Sequence, residues 1–224
     1  MDSNAFMRAK KIICTTRSSY EFYKAKFGTK VVYIPPPIEY FTIERKPAKK
    51  LRVLFVPRDL SIPRKNLITL LRALSMSNGQ YLRKIKLMLV GRNTHKFEGW
   101  LNNLKMKGAE VDALGYVDRE HMASIYLNSD ILVYPSYYEE LGYAVLEAMA
   151  YSFPVIASSI SSFNDMIIDG YNGFIIEPND YGKLARLLSI LIEDREMCHK
   201  MGKKSIELIK EKFDPSWWLK DLKM

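Results

Sequence analysis

The chain has 224 residues, of which 48% are hydrophobic and 26% charged, so it can build one large domain or one domain and part of another, and global disorder is excluded. No apolar run approaches the roughly 18 residues of a membrane span, and the opening residues MDSNAFMRAKK lack the apolar core of a signal peptide. The net charge is +9, with +16 on residues 1–110 and −7 on residues 111–224, so the first half is expected to attract anions.

The two cysteines predict a reduced, cytosolic protein. Cys14 and Cys198 lie far apart in the sequence and have no metal-ligand spacing. We therefore expect a cytoplasmic protein, with the basic first half leaving open a peripheral place at an anionic membrane surface.

The first 43 residues predict a strand, a helix and a second strand, at residues 11–16, 18–27 and 31–35. The prolines at 35–37 end the second strand. Residues 44–50, ERKPAKK, are polar, contain Pro47 and predict a linker.

From residue 51 onward, short apolar runs alternate with amphipathic ones. The predicted strands are 51–57, 85–91, 111–117, 131–135, 154–158 and 173–177, and the predicted helices are 66–77, 97–107, 119–128, 142–152, 181–192 and 195–211. Asp118 and Asp180 are expected to cap the helices that they precede. Strands rich in Val, Ile and Leu between helices predict an α/β fold with a Rossmann-like, doubly wound parallel sheet.

Such a sheet binds its ligand at the carboxyl ends of its strands. Arg58, Gly91, Glu139 and Ser158 each follow a predicted strand. The sequence therefore predicts that these residues meet at one edge of the sheet.

Residues 134–150, YPSYYEELGYAVLEAMA, contain two glutamates eight positions apart. If a helix begins near Leu141 and Gly142, Glu147 points back toward its first turn, because helical side chains lean toward the N-terminus. Glu139 lies in the preceding loop, so both carboxylates are expected to border one cavity. The alternative is that both simply compensate the helix dipole, which explains Glu139 better than Glu147 because the neighbours of Glu147 are apolar.

The start of the same helix favours an anion. Free N–H groups at residues 141–144 and the positive end of the dipole attract phosphate, and Gly142 permits a close approach. Carboxylates instead accept hydrogen bonds from vicinal hydroxyls. A phosphate flanked by sugar rings satisfies both demands, as in a nucleoside diphosphate sugar.

Residues 58–66, RDLSIPRKN, bring Arg58, Arg64 and Lys65 to one predicted loop. These cations suit a diphosphate and stabilise the negative charge that grows on it as it departs. The alternative is an exposed basic turn.

The motifs VLFVPR…PRKN, LMLVG, LGYV, ILVYPSYYEELGYAVLEAMA, PVIAS and DGYNGFIIEPND occur here in the order seen in the carboxy-terminal half of the retaining glycosyltransferases of family 4, and residues 51–224 resemble that half of the GT-B fold. Residues 1–43 resemble a remnant of the amino-terminal half with a flexible start. FDPSWW, at 213–218, is similar to the opening of the helix that crosses back between the halves.

The resemblance implies catalytic roles for three residues. Arg58 and Lys65 would hold the donor diphosphate, and Glu139 would meet the transferred sugar. No metal and no cofactor are implied beyond the nucleoside diphosphate sugar itself, and no Asp-x-Asp pair is present.

The resemblance also implies a nucleotide site. Glu147 would bind ribose hydroxyls, Tyr116 and Val117 would line the base pocket, and Gly91 would let the nucleotide lie close to its strand. Backbone groups at the start of the helix would contact phosphate or sugar: Leu141, Gly142 and Tyr143.

The sequence departs from the family pattern in three places that bear on the sugar. Glu140 stands where glycine is usual, and residues 158–165, SSISSFND, replace a glycine-rich loop. The loop from Arg58 to Lys65 is slightly longer than usual, so Arg64 is an alternative for the lysine's role.

Several functions remain open from the sequence. The chain resembles a donor-binding half whose acceptor-binding half is missing, which predicts nucleotide-sugar binding with little transfer by this chain alone. The alternatives are a stand-alone binding module, a subunit of a split transferase, a nucleotide-sugar epimerase, or a protein that binds an anionic membrane or a lipid acceptor. Nucleic acid is the least expected partner, since helix packing explains the aromatics near lysines at residues 20–30.

Overall fold

The structure is a computed structural model that describes residues 3–41, 43 and 48–216. The first part of the chain forms a small unit. Its elements are α1 (Ser3–Arg8), β1 (Ile12–Cys14), α2 (Arg17–Phe27), a 3-10 turn at Gly28–Lys30, and β2 (Val31–Tyr33). β1 and β2 pair in parallel as a separate two-stranded sheet with Ile12 opposite Val31. The strand, helix and strand predicted within residues 1–43 are therefore confirmed.

The remaining strands form one parallel sheet of six strands. They are β3 (Leu51–Phe55), β4 (Ile85–Val90), β5 (Glu110–Gly115), β6 (Ile131–Tyr134), β7 (Val155–Ser158) and β8 (Gly173–Ile176). Their spatial order is β5-β4-β3-β6-β7-β8, so the chain reverses its direction of travel across the sheet between β3 and β6. The register there pairs Val53 with Ile131 and Leu54 with Leu132. Ligands of open α/β sheets bind at such a switch point.

Helices connect these strands and cover both faces of the sheet. They are α3 (Leu67–Met76), α4 (Gly79–Leu82), α5 (Glu98–Met106), α6 (Arg119–Leu127), α7 (Tyr143–Ala150), α8 (Ser161–Asn164), α9 (Tyr181–Glu193) and α10 (Arg195–Lys212), with 3-10 turns at Pro63–Lys65 and Thr94–Phe97. The predicted Rossmann-like, doubly wound parallel sheet is confirmed. Asp118 and Asp180 cap α6 and α9, as predicted, by accepting from the amides of His121 and Lys183.

The inner strands are buried on both faces because their side chains alternate between two cores. Val53 and Phe55 pack with α3, α5 and α9 on one face, whereas Leu54 packs with α6, α7 and α10 on the other. This two-sided burial explains why the inner strands read as nearly continuous apolar runs, whereas the edge strand β5 contains Glu110 and Asp112 and is partly exposed.

The boundaries of the helix predicted at residues 66–77 shift by one residue at each end. Residues 63–65 form a 3-10 turn and Asn66 then adopts a left-handed backbone with φ 56°, so α3 begins at Leu67 and ends at Met76. The short helices α1, α4 and α8 were not predicted, since four to six residues carry no resolvable helical period.

Three hydrogen bonds donated by backbone amides within residues 17–41 attach this part of the chain to the helices and loops around the large sheet. The amide of Ile38 donates to the carbonyl of Phe213, the amide of Phe41 donates to that of Ala150, and the amide of Arg17 donates to the Asp165 carboxylate, at 3.0, 3.0 and 3.1 Å. Most of the predicted linker and the end of the predicted final helix, at residues 44–47 and 217–224, lie outside the described residues. Of the helices within the described ranges, none combines the length and the apolar composition needed to cross a bilayer.

Candidate functional site

A cavity of about 1000 Å³ opens beside the carboxyl ends of β3 and β4, at the switch point of the sheet. It extends to α6, α7 and residues 37–41, so the strand ends, two helices and the segment that joins the two sheets contribute to its wall. Several of the predicted site residues line it: Arg58, Gly91, Tyr116, Val117, Tyr143 and Glu147. Four others do not: Lys65, Glu139, Leu141 and Gly142.

Gly91, directly after β4, is required by a close backbone approach. Its φ is 145°, and a Cβ atom there would lie 2.3 Å from the Pro57 carbonyl oxygen and 2.7 Å from a methyl carbon of Leu60. Any larger residue would therefore push apart the ends of β3 and β4 at the wall of the cavity.

Arg58 follows β3 and supplies a positive charge to the cavity. Its side chain is exposed, and within the described residues no carboxylate forms an ion pair with it. The segment is held by backbone bonds, since the amide of Arg92 donates to the Arg58 carbonyl at 3.1 Å. The guanidinium is thus available to an anion.

Glu147, on α7, supplies the negative charge. Its side chain is exposed, and the Tyr126 hydroxyl donates to its Oε2 atom at 2.6 Å. Tyr126 lies on α6 and is itself 2% exposed. Burial, followed by the charge and the hydrogen bond of Glu147, raises the pKa of Tyr126 well above its ordinary value, so the phenol keeps its proton and remains a donor.

The start of α7 is set by a left-handed glycine. Gly142 has φ 79° and ψ 57°, and a Cβ atom there would lie 2.4 Å from the Cε1 atom of Phe163. Leu141 and Gly142 are buried, whereas Tyr143 is 56% exposed and faces the cavity. The side chain of Leu141 therefore packs in the core, and only backbone groups of these two residues are suited to meet a ligand.

Glu139 lies in a different environment, which we call the Lys65 cluster and which consists of Arg64, Lys65, Tyr134 and Glu139. Lys65 Nζ lies 2.5 Å from Glu139 Oε1 and donates to the Tyr134 hydroxyl at 2.8 Å, and Arg64 lies 3.5 Å from Glu139 Oε2. The Glu139 side chain is 8% exposed. Burial and the charge of Glu139 raise the pKa of Tyr134 above its ordinary value.

The expectation that both glutamates border one cavity is therefore wrong for Glu139. Glu147 lines the cavity, whereas Glu139 does not. The physical reason is the neighbouring cation, because a buried carboxylate and a buried ammonium need each other as counter-charge.

Two features of the site were missed by sequence reasoning. One is Tyr126, because a tyrosine on the inner face of a helix is ordinarily a core residue, and the only signal is that a buried phenol needs a partner. The other is a stacked pair, in which the Arg92 guanidinium lies 5.3 Å from the centre of the exposed Tyr116 ring.

A parallel α/β sheet with a charged cavity at its switch point defines a ligand-binding domain of the Rossmann-like class. The model of the family "Glycosyl transferases group 1" matches residues 38–208, and the chain belongs to this family. O-antigen chain mannosyltransferase B of Escherichia coli is 31% identical over 150 residues, which are 62% of this chain and 38% of that protein. Alpha-D-kanosaminyltransferase of Streptomyces kanamyceticus is 29% identical over 106 residues, which are 47% of this chain and 28% of that protein.

Solved structures share the fold. A mutant of TarM from S. aureus, in complex with fondaparinux, alpha-GlcNAc-glycerol and UDP, has a TM-score of 0.80 at 20% identity, over 96% of this chain and 43% of that one. HepE from Anabaena, in complex with UDP-glucose, has a TM-score of 0.70 at 20% identity, over 92% of this chain and 60% of that one. The chain thus spans between 28% and 60% of the length of these relatives, less than two thirds in each case.

Proposed function

We propose that this chain is the donor-binding half of a retaining glycosyltransferase of family 4, with the GT-B arrangement, and that it binds a nucleoside diphosphate sugar. The observation that carries the proposal is that Arg58 and Glu147 line the same cavity. Both side chains face one cavity, carry opposite charges, and form no ion pair within the described residues.

The positions of these charges suit the parts of such a donor. The exposed Tyr116 and its neighbour Val117 would receive the base, and Gly91 leaves room for the nucleotide beside its strand. Glu147 would accept hydrogen bonds from ribose hydroxyls, because a carboxylate is an acceptor only. Arg58 and the start of α7 would then hold the diphosphate.

The Lys65 cluster would lie toward the transferred sugar. In this position Glu139 would accept from sugar hydroxyls, and Lys65 and Arg64 would be the next cations available to the diphosphate. The ammonium group of Lys65 forms an ion pair with Glu139. For Lys65 to contact phosphate, this ion pair would have to loosen so that the diphosphate and Glu139 share the ammonium group. Fixed cations and amides would stabilise the departing diphosphate most in the transition state.

Two neighbours support a nucleoside diphosphate donor, since TarM was solved with UDP and HepE with UDP-glucose. Membership in the glycosyltransferase family favours a transferase over an epimerase. The retaining mechanism and family 4 itself rest on the motif resemblance.

The proposal is tested by a thermal-shift panel of UDP, GDP and ADP sugars on the wild type, Glu147→Ala and Glu98→Ala. A donor at 100 times its dissociation constant should stabilise the wild type by about 2.7 kcal/mol. Glu147→Ala should lose most of this shift. Glu98→Ala is the matched control, because Glu98 is an exposed glutamate on helix α5 that does not line the cavity, and it should keep the shift. No shift with any donor, or equal shifts in all three proteins, would contradict the proposal.

The acceptor-binding half is proposed to come from outside residues 1–224, either from more of the same polypeptide or from a partner subunit. The observation that favours this is the small sheet of β1 and β2, since two strands are marginal as an independent sheet. Its surface carries Met7 at 67% and Phe22 at 54% exposure, and Ile13 on β1 is 50% exposed.

This second proposal predicts binding without turnover. The chain alone should bind donor but transfer or hydrolyse it far below the 1 s⁻¹ or more that is roughly typical of enzymes. The release of nucleoside diphosphate from radiolabelled donor measures this rate. Turnover near the ordinary rate would mean that the chain is catalytically complete.

A further inference from the structure

We propose that Tyr126 is a positioning residue of this site: its hydroxyl fixes the Glu147 carboxylate toward the cavity and thereby makes the site select ribose over 2′-deoxyribose. The inference rests on the proposed function, because it takes Glu147 to be the ribose-binding group. Nothing in the resemblance assigns a role to Tyr126.

The contact joins two helices across the cavity wall. Tyr126 is near the end of α6 and Glu147 is in the second turn of α7, 21 positions later. Both line the cavity, yet their exposure is opposite, since Tyr126 is 2% exposed and Glu147 is exposed. The hydroxyl therefore reaches the carboxylate from the protein side and leaves the cavity side open.

Glu147 depends on this contact for its orientation. A glutamate side chain has three rotatable bonds, and no cation forms an ion pair with it within the described residues. A carboxylate held by one short hydrogen bond at 2.6 Å is ordered before a ligand arrives. Such pre-organisation raises affinity, because less rotational freedom is lost on binding.

Tyr126 is in turn held by its neighbours. Its ring stacks on Tyr151 with centroids 5.1 Å apart and lies 6.0 Å from the ring of Phe153. Tyr151 packs against Phe41, at 4.8 Å, in the segment that joins the two sheets. Since the ring cannot turn without disturbing this stack, the direction of its hydroxyl is fixed.

The two carboxylate oxygens of Glu147 have different roles. Oε2 accepts from Tyr126, so Oε1 is the oxygen whose lone pairs are fully available to a ligand. A ribose presents the 2′- and 3′-hydroxyls side by side, and a fixed carboxylate can accept from both. A 2′-deoxyribose offers one of these donors, so it gains less from the fixed orientation.

The test is a double-mutant cycle on nucleotide affinity. Isothermal titration measures the dissociation constants of UDP and GDP, each beside its 2′-deoxy form, for the wild type, Tyr126→Phe, Glu147→Ala and the double variant. Tyr126→Phe should weaken the ribonucleotide about tenfold and the deoxynucleotide about threefold or less, the range expected for losing one hydrogen bond to a charged group. Because Tyr126 acts through Glu147, the double variant should bind like Glu147→Ala alone.

The matched control is Tyr81→Phe. The Tyr81 hydroxyl also donates to a glutamate, Glu193, at 2.7 Å, but neither residue lines the cavity. This variant loses the same kind of hydrogen bond and should leave both affinities unchanged. Urea unfolding of each variant shows that binding is compared among folded proteins.

The outcomes separate the inference from the proposed function. If the two single effects multiply in the double variant, or if Tyr126→Phe weakens both nucleotides equally, Tyr126 is only a packing residue and the inference is overturned. If Glu147→Ala has no effect on any nucleotide, the proposed function fails first, and the inference fails with it.

Discussion

The two ends of the six-stranded sheet use charged residues in opposite ways. At the amino end, Asp130, just before β6, is 6% exposed. Its Oδ2 atom accepts from Arg52 Nε at 3.0 Å and its Oδ1 atom from Arg52 Nη2 at 2.7 Å, while Arg195 Nη2 lies 2.9 Å from Oδ2. At the carboxyl end, Arg58 and Glu147 are exposed to a cavity and have no ion pair in the described part of the chain. The amino end is thus closed by its own charges, and the carboxyl end keeps charges available for a ligand.

Unusual backbone, by contrast, occurs at both ends of the sheet. Gly142 and Asn66 are left-handed at the carboxyl end, and Gly108 and Ser152, just before β5 and β7 at the amino end, also have positive φ, of 105° and 58°. The contrast between the ends therefore concerns the charged residues. The Lys65 cluster is the exception to it, because the cluster lies at the carboxyl end but is closed by its own ion pair, which makes it the sharpest place to test the comparison.

The largest loss of stability is expected from Gly142→Ala. A methyl group there would lie 2.4 Å from Phe163, which is fully buried and cannot move aside, and the residue would have to keep φ 79°. Overpacking and left-handed strain together should lower the free energy of unfolding by about 4 kcal/mol. Urea denaturation measures this loss.

The control for Gly142 is Gly170→Ala. Gly170 has a similar φ of 76°, but no atom lies within 4 Å of a Cβ built there. This variant should pay only the conformational term of about 1 kcal/mol. Equal losses in the two variants would show that contact with Phe163 does not matter.

The next largest loss is expected from Asp130→Asn. Removing the shared carboxylate leaves two arginines near each other without a counter-charge, which should lower the free energy of unfolding by about 3 kcal/mol at neutral pH. Burial raises the pKa of Asp130, but the hydrogen bonds of Arg52 and the charge of Arg195 outweigh it and hold the pKa below its ordinary value of 3.8.

The sign of the pH dependence follows from that lowered pKa. The stabilisation by Asp130 is fully present above its unfolded pKa and is lost as the pH falls through its folded pKa. The difference in unfolding free energy between wild type and Asp130→Asn should therefore be constant near neutral pH and shrink below about pH 3.8. A difference that persists unchanged at lower pH would argue against an ionised Asp130 as its source.

The fold was predictable from the sequence because local signals agreed with one another. The strands and helices were located by apolar runs rich in Val, Ile and Leu and by the caps Asp118 and Asp180. Because ligands of parallel sheets bind at the carboxyl ends of the strands, Arg58 and Gly91 were expected at the site, and both line the cavity. The partners and the exposure of the Glu139 and Glu147 side chains were not predictable. They depend on Lys65, 74 positions earlier, and on Tyr126, 21 positions earlier, and no local pattern encodes which partner a side chain meets across the fold.

Glu139→Gln should cause a smaller loss than Asp130→Asn. It leaves the ammonium group of Lys65, which is 8% exposed, with the Tyr134 hydroxyl but without its counter-charge, and should lower the free energy of unfolding by about 2 kcal/mol. Glu140→Gln, at the exposed next position, is the control and should change stability by less than about 0.5 kcal/mol. If the two variants are equally stable, the Lys65 cluster is not closed in solution, and the exception to the comparison disappears.

Glu147→Gln should have the smallest effect on the free energy of unfolding, although Glu147 lies only eight positions after Glu139 in the chain. The side chain is exposed to the cavity, and a glutamine oxygen can still accept from Tyr126, so the free energy of unfolding should stay within about 0.5 kcal/mol of the wild type. Nucleotide affinity should nevertheless fall, because the amide has one acceptor oxygen where the carboxylate has two. Calorimetric titration with UDP and GDP, run beside urea denaturation, measures both quantities on the same protein. A large loss of stability without a loss of affinity would mean that Glu147 belongs with Asp130 as a structural charge, and the contrast between the two ends of the sheet would no longer hold.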